Sequence, residues 1–241
     1  MKDNGSSIIE RVELTINEVI AAFRKNPTLF YTENDIVLYF YSQLQKNANY
    51  PKEKDKTGKE HFLVHTEYST PFRCDMHGHE CDIKKDNEPT PKGGKYKRGH
   101  YDLVVINPEF INNYSYEEIK GQSYERAREA YKQYCAKNKD QYVILYGLEF
   151  MYSRDEIKTD QGIKTFADKV LQDARKLEQS QKIDYSKTEE MNKEINSVNF
   201  MKRVKMLAFI KGSKNIVCDK IKADLSKRSE IIEIIEGDTK T

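Results

Sequence analysis

Two acidic side chains lie at the ends of apolar segments that have the composition of buried strands. Asp102 lies near the start of YDLVVI, and Glu149 lies near the end of YVILYGLEF. A carboxylate on a buried strand is destabilising unless it is paired or binds a cation, and two of them on neighbouring strands repel each other. A hard cation such as Mg²⁺ (or Mn²⁺) relieves that repulsion, because it binds carboxylate oxygens and commonly bridges them to phosphate. The pair therefore predicts metal-dependent hydrolysis of a phosphodiester bond, unless each acid only forms an ion pair with a nearby lysine or arginine.

A second group of potential metal ligands lies in a short polar segment. Thiolate and imidazole are good zinc ligands, and four of them follow the spacing C-x2-H-x-H-x-C, at Cys74, His77, His79 and Cys81. So short a loop cannot easily arrange all four tetrahedrally, so two cysteines, one histidine and an outside ligand form the simpler set. The candidates for the outside ligand are His61, His65 and His100. The alternative is a polar loop of reduced, partly exposed side chains. The other two cysteines, Cys135 and Cys218, lie in helical segments and are expected in the core.

The composition of the chain narrows the class of protein. Of its 241 residues 33% are charged, and 41 basic against 39 acidic residues give a net charge of +2. No run approaches the ~18 apolar residues that a membrane helix needs, and the polar N-terminus lacks the apolar centre of a signal peptide. Four cysteines are too few for a disulfide framework. We therefore expect a cytoplasmic chain without a membrane partner.

The overall charge says little about partners, but its distribution along the chain is informative. Residues 84–98 carry six basic against two acidic side chains, and residues 202–228 carry nine against two. Basic segments near an acidic site can follow a phosphate backbone, which favours DNA as the partner and leaves RNA open. The alternative is that both segments are solvated surface.

Apolar periodicity predicts the elements that position these residues. A helix is expected over residues 8–25, and a second helix begins near Thr32, where Thr32 and Asp35 have the spacing of a capping box. Strands are predicted at 62–68, 101–106, 142–150 and 204–210, and further helices at 116–136, 163–177, 187–201 and 219–236. Residues 72–98 are expected to form a polar hairpin insertion. This order predicts one α/β domain over residues 1–241, with a short mixed four-stranded sheet flanked by helices.

The order of elements and acids resembles the core of the PD-(D/E)XK nuclease superfamily, the restriction-endonuclease-like fold. In that family an acidic helix precedes a strand, a strand with Asp, a strand with Glu-x-Lys, a helix and another strand. The matching acids are Glu33 in TENDIVLYFY, Glu67 in VHTEY, Asp102 in RGHYDLVVIN and Glu149 in YVILYGLEFMY. The resemblance covers residues 28–210. It implies a Mg²⁺- or Mn²⁺-dependent endonuclease in which Asp102 and Glu149 hold the metal and Glu33 or Glu67 assists.

The chain departs from this pattern at the lysine that should follow the third-strand acid by two residues. Met151 occupies that position, and methionine carries no charge and only a weak sulfur acceptor. Three explanations are open. The lysine has moved to the following helix, where Lys164 and Lys169 are the candidates; the chain has kept the fold and lost catalysis; or the third strand lies elsewhere, since residues 118–120 also read E-x-K.

The sequence thus predicts a metal-dependent, nuclease-like protein that hydrolyses phosphodiester bonds in DNA. The competing prediction is a catalytically degenerate protein of the same fold that acts as a nucleic-acid-binding or assembly module, which Met151 favours. Separation of the Asp102 and Glu149 carboxylates by more than ~8 Å would contradict the first prediction, because one hard cation with ligands about 2.1–2.5 Å away could not join them.

Overall fold

The structure, a computed structural model, describes residues 5–48, 52–77, 80–85, 87–120, 124–137, 140–154, 157–185, 197–211, 219, 221–223, 225 and 230–237. The strands of its central sheet are β3 (Val64–His77), β4 (Glu80–Lys84), β5 (Arg98–Ile106), β6 (Ile144–Ser153), β9 (Met201–Lys211) and β10 (Ile232–Gly237). Two smaller pairs are β1 (Lys52–Lys54) with β2 (Glu60–Phe62), and β7 (Lys182–Asp184) with β8 (Ser197–Asn199).

The central sheet is mixed. Its six strands follow the order β10-β9-β6-β5-β3-β4. The strands β6, β9 and β10 are parallel neighbours, whereas β6, β5, β3 and β4 pair antiparallel. The strand β6, near the middle of the sheet, is buried on both faces over most of its length, as its unbroken apolar sequence predicts. The protein is therefore of the α/β class, as predicted, with a mixed sheet flanked by helices.

Six α-helices whose bounds the described residues define flank this sheet. They are α1 (Gly5–Lys25), α2 (Glu33–Ala48), α3 (Pro108–Asn113), α4 (Tyr116–Lys120), α5 (Tyr124–Lys137) and α6 (Asp160–Gln181). The helix α1 buries the predicted apolar stripe and packs against α2, β6 and β10. A short 3₁₀ turn at Pro27–Leu29 separates it from α2, because proline cannot continue an α-helix. Among the described residues, no helix is long and apolar enough to cross a membrane.

The helix α6 lies across the strands β9, β6, β3 and β4. Its buried side includes Val170, Ala174 and Leu177. Gly147 makes room for Met201 of β9, since a Cβ atom there would lie 2.6 Å from Met201 Sδ, and the same atom would be in ordinary contact, at 3.5 Å, with Leu177 Cδ2 of α6. Leu177, the residue after Lys176, therefore packs over β6 at Gly147.

Three predictions about secondary structure need correction. The sheet has six strands and not four, because β4 and β10 were missed. The helix predicted over 219–236 is wrong at its C-terminal end: residues 232–237 form β10, which pairs with β9. Of the helix predicted over 187–201, residues 186–196 lie outside the described residues, and residues 197–199 form a strand. In each case the apolar pattern is short and fits both a helix and a strand, and pairing within a sheet decides the outcome.

The polar segment 72–98 begins as a hairpin, as predicted, but belongs to the central sheet. The strand β3 continues through Pro71 and pairs with β4, from Arg73 opposite Lys84 to His77 opposite Glu80. A turn with left-handed glycines at Gly93 and Gly94 then leads towards β5. The strand β4 is consequently one edge of the sheet.

Candidate active site

The two strands that carry the central acids separate at those acids. The strands β5 and β6 pair as far as Leu103 and Leu148. Beyond this point β6 continues beside β9, while β5 continues beside β3. Asp102 and Glu149 are the next residues along the two strands, so they lie side by side where the sheet opens. We call this place the fork site.

Carboxylates replace β5 along the edge of β6 beyond the fork. The backbone N–H of Phe150 donates a 2.6 Å hydrogen bond to Asp102 Oδ2. The backbone N–H of Tyr152 donates to the Glu33 carboxylate. Residues two apart on a strand direct their N–H groups to the same side. The two acids therefore satisfy donors that the departing strand would otherwise have paired.

Glu33 reaches this edge because it is the first residue of α2. The predicted capping box is confirmed: Thr32 Oγ1 accepts a 3.2 Å hydrogen bond from the Asp35 N–H, and the Thr32 N–H donates to Asp35 Oδ2 at 2.8 Å. The Tyr152 hydroxyl donates to the Phe30 carbonyl at 2.8 Å. The capping box fixes the first turn of α2, and the bond from Tyr152 joins the segment before α2 to the end of β6.

Glu149 forms an ion pair with a lysine that the sequence analysis missed. Lys176 Nζ lies 2.7 Å from Glu149 Oε1, and the two side chains are only 7% and 2% exposed. Lys176 Nζ also donates to the carbonyl of His100 at 2.7 Å and to Asp173 Oδ1 at 3.1 Å. The ammonium group is therefore directed from α6 into the fork site.

The carboxyl groups of the fork site hold protons more tightly than ordinary acids. Burial, with the charges of Asp102 and Asp173, raises the pKa of Glu33 to about 7. Burial raises the pKa of Asp102 to about 6, although the Phe150 N–H and Lys176 favour its charged form.

Glu149 and Lys176 are shifted as well. Burial raises the pKa of Glu149 well above its usual value; Lys176 opposes this shift and the charge of Asp102 adds to it. Burial opposes the charge on Lys176, but Glu149 and Asp173 raise its pKa. The site therefore carries more negative charge than a single lysine neutralises.

The carboxyl groups of Asp102 and Glu149 are close enough to share a hydrogen bond. This contact lies far inside the ~8 Å limit that a single hard cation sets. The structure therefore brings together the two acids that the sequence analysis placed at the centre of the site.

Glu67 approaches the fork site from β3. Thr66 pairs with Leu103 and Tyr68 pairs with Tyr101, which places Glu67 next to Asp102 in the ladder. The Glu67 backbone has a φ of 51°, a left-handed conformation that is rare for a residue other than glycine and that tends to occur at functional sites. Its side chain is exposed, and its charge adds to the raised pKa of Glu33. Glu67 thus marks the exposed margin of the site.

The displaced lysine comes from the predicted helix but from a different position. Lys164 and Lys169 are exposed on α6. Lys176 follows Lys169 by seven residues, about two helical turns or ~10 Å along the axis. Its only signal in the sequence is that it stands between Ala174 and Leu177 on the apolar side, where a lysine is unusual.

The alternative E-x-K segment is not part of the strands that form the fork site. Residues 118–120 lie in α4. Glu118 Oε2 accepts a 2.7 Å hydrogen bond from the Ser115 N–H and lies 2.5 Å from Lys56 Nζ. These contacts lower the pKa of Glu118 to about 2, the ion pair with Lys56 contributing most. The segment is thus a capped helix turn and not a strand.

The predicted zinc ligands are divided between the two faces of the β3–β4 hairpin. Cys74 and Cys81 are buried, whereas His77 is exposed on the other face, 3.4 Å from Asp75 Oδ1 and 3.8 Å from Asp82 Oδ2. His79 lies outside the described residues. Of the outside ligands proposed, His61 contacts Asp55, His65 contacts the Phe62 carbonyl, and His100 is exposed on β5. Zinc binding therefore stays a prediction.

A cavity opens next to Glu67. Its volume is about 470 Å³, and its wall includes Tyr68, Tyr131, Tyr116 and Arg98. The hydroxyl groups of Tyr68 and Tyr131 are hydrogen-bonded at 2.8 Å. The exposed margin of the fork site thus borders a recess with aromatic walls and one arginine.

The donor set of the fork site suits a hard divalent cation. Asp102, Glu149 and Glu33 offer carboxylate oxygens, which Mg²⁺ and Mn²⁺ prefer, and a cation would stabilise the charged forms that burial, and to a smaller extent nearby acids, disfavour. Within the described ranges, no three His, Cys, Asp or Glu side chains are already grouped closely enough to hold a metal ion. The carboxylates must therefore turn towards a cation to bind it.

Comparison with known proteins adds no family to this description. No protein-family model matches the chain, and no curated protein and no solved structure matches it either. The fold and the site define it as an α/β protein with several acids and one buried lysine at a fork in its sheet.

Proposed function

We propose that this chain is a metal-dependent nuclease that hydrolyses phosphodiester bonds in DNA. The observation that carries the proposal is the 2.7 Å contact of Lys176 Nζ with Glu149 at the point where β5 and β6 separate. It joins one positive charge to a group of carboxylates in a largely buried site. Phosphodiester hydrolysis uses this combination, because carboxylates hold a cation and a fixed cationic side chain stabilises charge on the phosphate.

The residues of the fork site take different roles in this proposal. Asp102 and Glu149 hold the divalent cation, and Glu67 assists from the exposed margin. When bound, that cation supplies positive charge at the scissile phosphate. Lys176 Nζ, held by Glu149, Asp173 and the His100 carbonyl, places a fixed positive charge beside the scissile phosphate. Glu33, whose carboxylate reaches the same edge of β6, accepts the proton of the attacking water.

The same arrangement supports the resemblance to the PD-(D/E)XK superfamily. Lys176 supplies from α6 the charge that Met151 lacks, which favours the explanation of a displaced lysine. The contact with Glu149 brings the ammonium group to the acid that a third-strand lysine would accompany. Loss of the lysine from its usual position therefore does not imply loss of the charge.

Exposed basic side chains support DNA as the substrate. Lys92, Lys95 and Lys97 are exposed on the segment that leads to β5, and Lys202 and Arg203 are exposed on β9. The lysines of residues 92–97 precede the strand that carries Asp102, whereas Lys202 and Arg203 lie beside Ile144 and Tyr146, before β6 reaches the fork. Exposed positive charge on the same sheet can hold phosphates of a DNA backbone that extends beyond the acidic centre.

The decisive experiment compares two lysines of the same helix. We expect Lys176→Met to lower the rate of DNA cleavage with Mg²⁺ or Mn²⁺ by ~100-fold or more, as loss of a charge at a reacting phosphate does in other enzymes. Lys169→Met removes an exposed lysine of α6 and should leave the rate within ~2-fold of wild type. Asp102→Asn, which keeps an acceptor for the Phe150 N–H, should abolish cleavage and preserve folding. Cleavage is measured on plasmid and on labelled oligonucleotides.

Three results would contradict the proposal. The first is equal loss of activity in the two lysine variants. The second is cleavage that survives Asp102→Asn. The third is a wild-type protein that cleaves RNA but no DNA, which would retain the chemistry and change the substrate class.

A second candidate function follows from the same ion pair. Glu149 and Lys176 neutralise each other, as the partners of a purely structural buried pair do. In that case the protein would be a nucleic-acid-binding or assembly module. Wild-type protein would bind DNA without cleaving it in either cation, and Asp102→Asn would leave binding unchanged.

A further inference from the structure

Two cysteines meet across the outer hairpin of the sheet. In the β3–β4 ladder Cys74 is opposite Ile83, and Cys81 is opposite Met76. Cys74 and Cys81 are therefore diagonal neighbours on one face of the sheet, where side chains remain within reach of each other. Both are buried, and the Cys81 thiol hydrogen-bonds the Cys74 sulfur.

The surroundings of Cys74 favour its thiolate. The Gly99 N–H donates to the Cys74 sulfur, and Lys176 adds positive charge. Cys74 also lines a cavity of about 620 Å³ whose wall includes Lys92, Lys95 and Lys97. Cys74 therefore lies next to an electropositive recess, and positive charge near a thiol is typical of reactive cysteines.

The titration of the two thiols agrees with this geometry. The hydrogen bond from Cys81, despite opposition by burial, lowers the pKa of Cys74 to about 7. The same hydrogen bond, and then burial, raises the pKa of Cys81.

Cys135 provides an internal contrast. It lies buried on α5, and its thiol donates to the Asn199 carbonyl at 3.4 Å. Burial raises the pKa of Cys135 to about 12. Among the described residues, Cys135 is therefore the cysteine against which the oxidation of Cys74 can be measured; Cys218 lies outside them.

We propose that Cys74 and Cys81 form an oxidation site, in which a hydroperoxide converts the two thiols into an intrachain disulfide. The Cys74 thiolate attacks the peroxide, the O–O bond breaks, and the sulfur becomes a sulfenic acid while the other oxygen leaves as an alcohol or as water. The Cys81 thiol then attacks the Cys74 sulfur, the S–S bond forms, and the sulfenic oxygen leaves as water. The two thiols give up two electrons in total, and the peroxide receives both.

The position of the pair lets the two sulfurs close this bond. The two sulfurs already contact each other through a hydrogen bond, so the bond can form between neighbouring atoms. The strand β4 is a five-residue edge strand with no further strand on its outer side among the described residues, and outside the sheet its Cys81 carbonyl accepts a 2.5 Å hydrogen bond from Gln179 Nε2 on α6. The inference is independent of the nuclease proposal, because it concerns only the chemistry of the hairpin.

The test uses the full chain and hydrogen peroxide. Trypsin cleaves after Arg73 and Lys84, so both cysteines fall in one peptide, residues 74–84. After oxidation of the reduced protein and alkylation in denaturant, this peptide should be two hydrogens lighter and carry no alkyl group. Cys135 should stay alkylated, and Cys74 should oxidise at least ~10-fold faster than Cys135 at neutral pH.

Three variants make the result specific. In Cys81→Ser, Cys74 should stop at the sulfenic acid, which dimedone captures. In Cys74→Ser, Cys81 should oxidise no faster than Cys135. Cys135→Ser is the matched control and should form the disulfide as wild type does.

The proposal is overturned if Cys74 and Cys135 oxidise at equal rates, or if oxidation yields only disulfides between chains. It is also overturned if the purified protein holds one zinc ion that is lost in both Cys74→Ser and Cys81→Ser, because the thiols are then metal ligands.

Discussion

Two regions of this molecule bury carboxylates in opposite ways. In the turn between β1 and β2, Asp55 is fully buried and accepts hydrogen bonds of 2.6–3.1 Å from the Thr57 N–H and hydroxyl, the Lys59 N–H, His61 and the Tyr116 N–H. Burial opposes ionisation, but these donors hold the pKa of Asp55 well below its usual range. At the fork site, by contrast, Glu33, Asp102 and Glu149 have raised pKa values.

The difference lies in the neighbours of each acid and not in burial alone. Asp55 is surrounded by donors, so its charge stabilises the turn and ties it to the start of α4. The acids of the fork site lie next to one another and have few donors: one backbone N–H each for Asp102 and Glu33, and Lys176 for Glu149. Removing a satisfied charge should destabilise the protein, whereas removing a repelled charge should stabilise it. A cluster that lowers stability in this way is a candidate for function.

The largest effect is expected from breaking the ion pair of the fork. Lys176→Met should lower the free energy of unfolding by ~4 kcal/mol at pH 8, because it leaves Glu149 buried without a partner. The loss should be smaller at pH 5, where Glu149 can bind a proton. Denaturant unfolding measures both values. The double variant with Glu149→Gln should recover much of the loss, and no recovery would show that packing of the lysine stem, and not its charge, stabilises this part of α6.

Asp55→Asn should have the next largest effect. It tests an acid whose charge stabilises the fold, in contrast to the acids of the fork site. It should lower the free energy of unfolding at pH 7, because one amide oxygen cannot accept from donors on both sides and its NH₂ group faces other donors. Since the pKa of Asp55 is depressed, its contribution is present above about pH 4 and is lost as the pH falls below that value. The loss in the variant should therefore shrink at pH 3. Glu60→Gln, an exposed acid on β2, serves as the control and should change stability by less than ~0.5 kcal/mol.

Asp102→Asn should stabilise the protein, which is the sharpest contrast with Asp55→Asn. The pKa of Asp102 rises from its usual value to about 6 in the folded chain, so the folded state binds more protons between about pH 4 and pH 6. Stability therefore falls as pH rises through that window. The variant should gain ~2 kcal/mol at pH 8 and almost nothing at pH 4. A loss of stability at pH 8 would mean that Asp102 is a satisfied structural acid like Asp55.

The smallest effect is the release of protons by a bound cation. Glu33 and Asp102, with pKa values of about 7 and 6, are partly protonated at pH 6.5. Binding of Mn²⁺ should displace about one proton at pH 6.5 and much less at pH 8.5. Calorimetric titration in two buffers with different heats of ionisation measures this number. Glu33→Gln should reduce the release at pH 6.5, and an unchanged value would remove Glu33 from the site.

Much of the fold follows from local patterns in the sequence. The stripe of α1, the capping box at Thr32 and the apolar run of β6 each predict the element that forms. The segment IIEIIEG at 231–237 shows the limit of this approach. Its isoleucines fit a helical face or a strand equally well, and pairing with β9 makes residues 232–237 a strand.

The residues of the candidate site were likewise only partly predictable from the sequence. The positions of Asp102 and Glu149 at strand ends could be recognised because charge is rare in apolar runs. Lys176 was not assigned to them, because its place on the apolar side of a helix does not say which acid a lysine meets. The packing of α6 on the sheet brings Lys176, and not Lys164 or Lys169, to Glu149.

The α/β class, the two strand acids and the strands that carry them were predictable, because hydrophobic period and side-chain chemistry are local properties. Three features depend on tertiary packing: β5 and β6 separate at Asp102, Glu33 and Asp102 bind the N–H groups left open on β6, and Lys176 is buried beside Glu149. Packing and strand register act together here. The tertiary structure also decided that Cys74 and Cys81 face each other while His77 faces away. These facts depend on strand register and on how one helix lies across a sheet, and such relations between distant segments have no local signal.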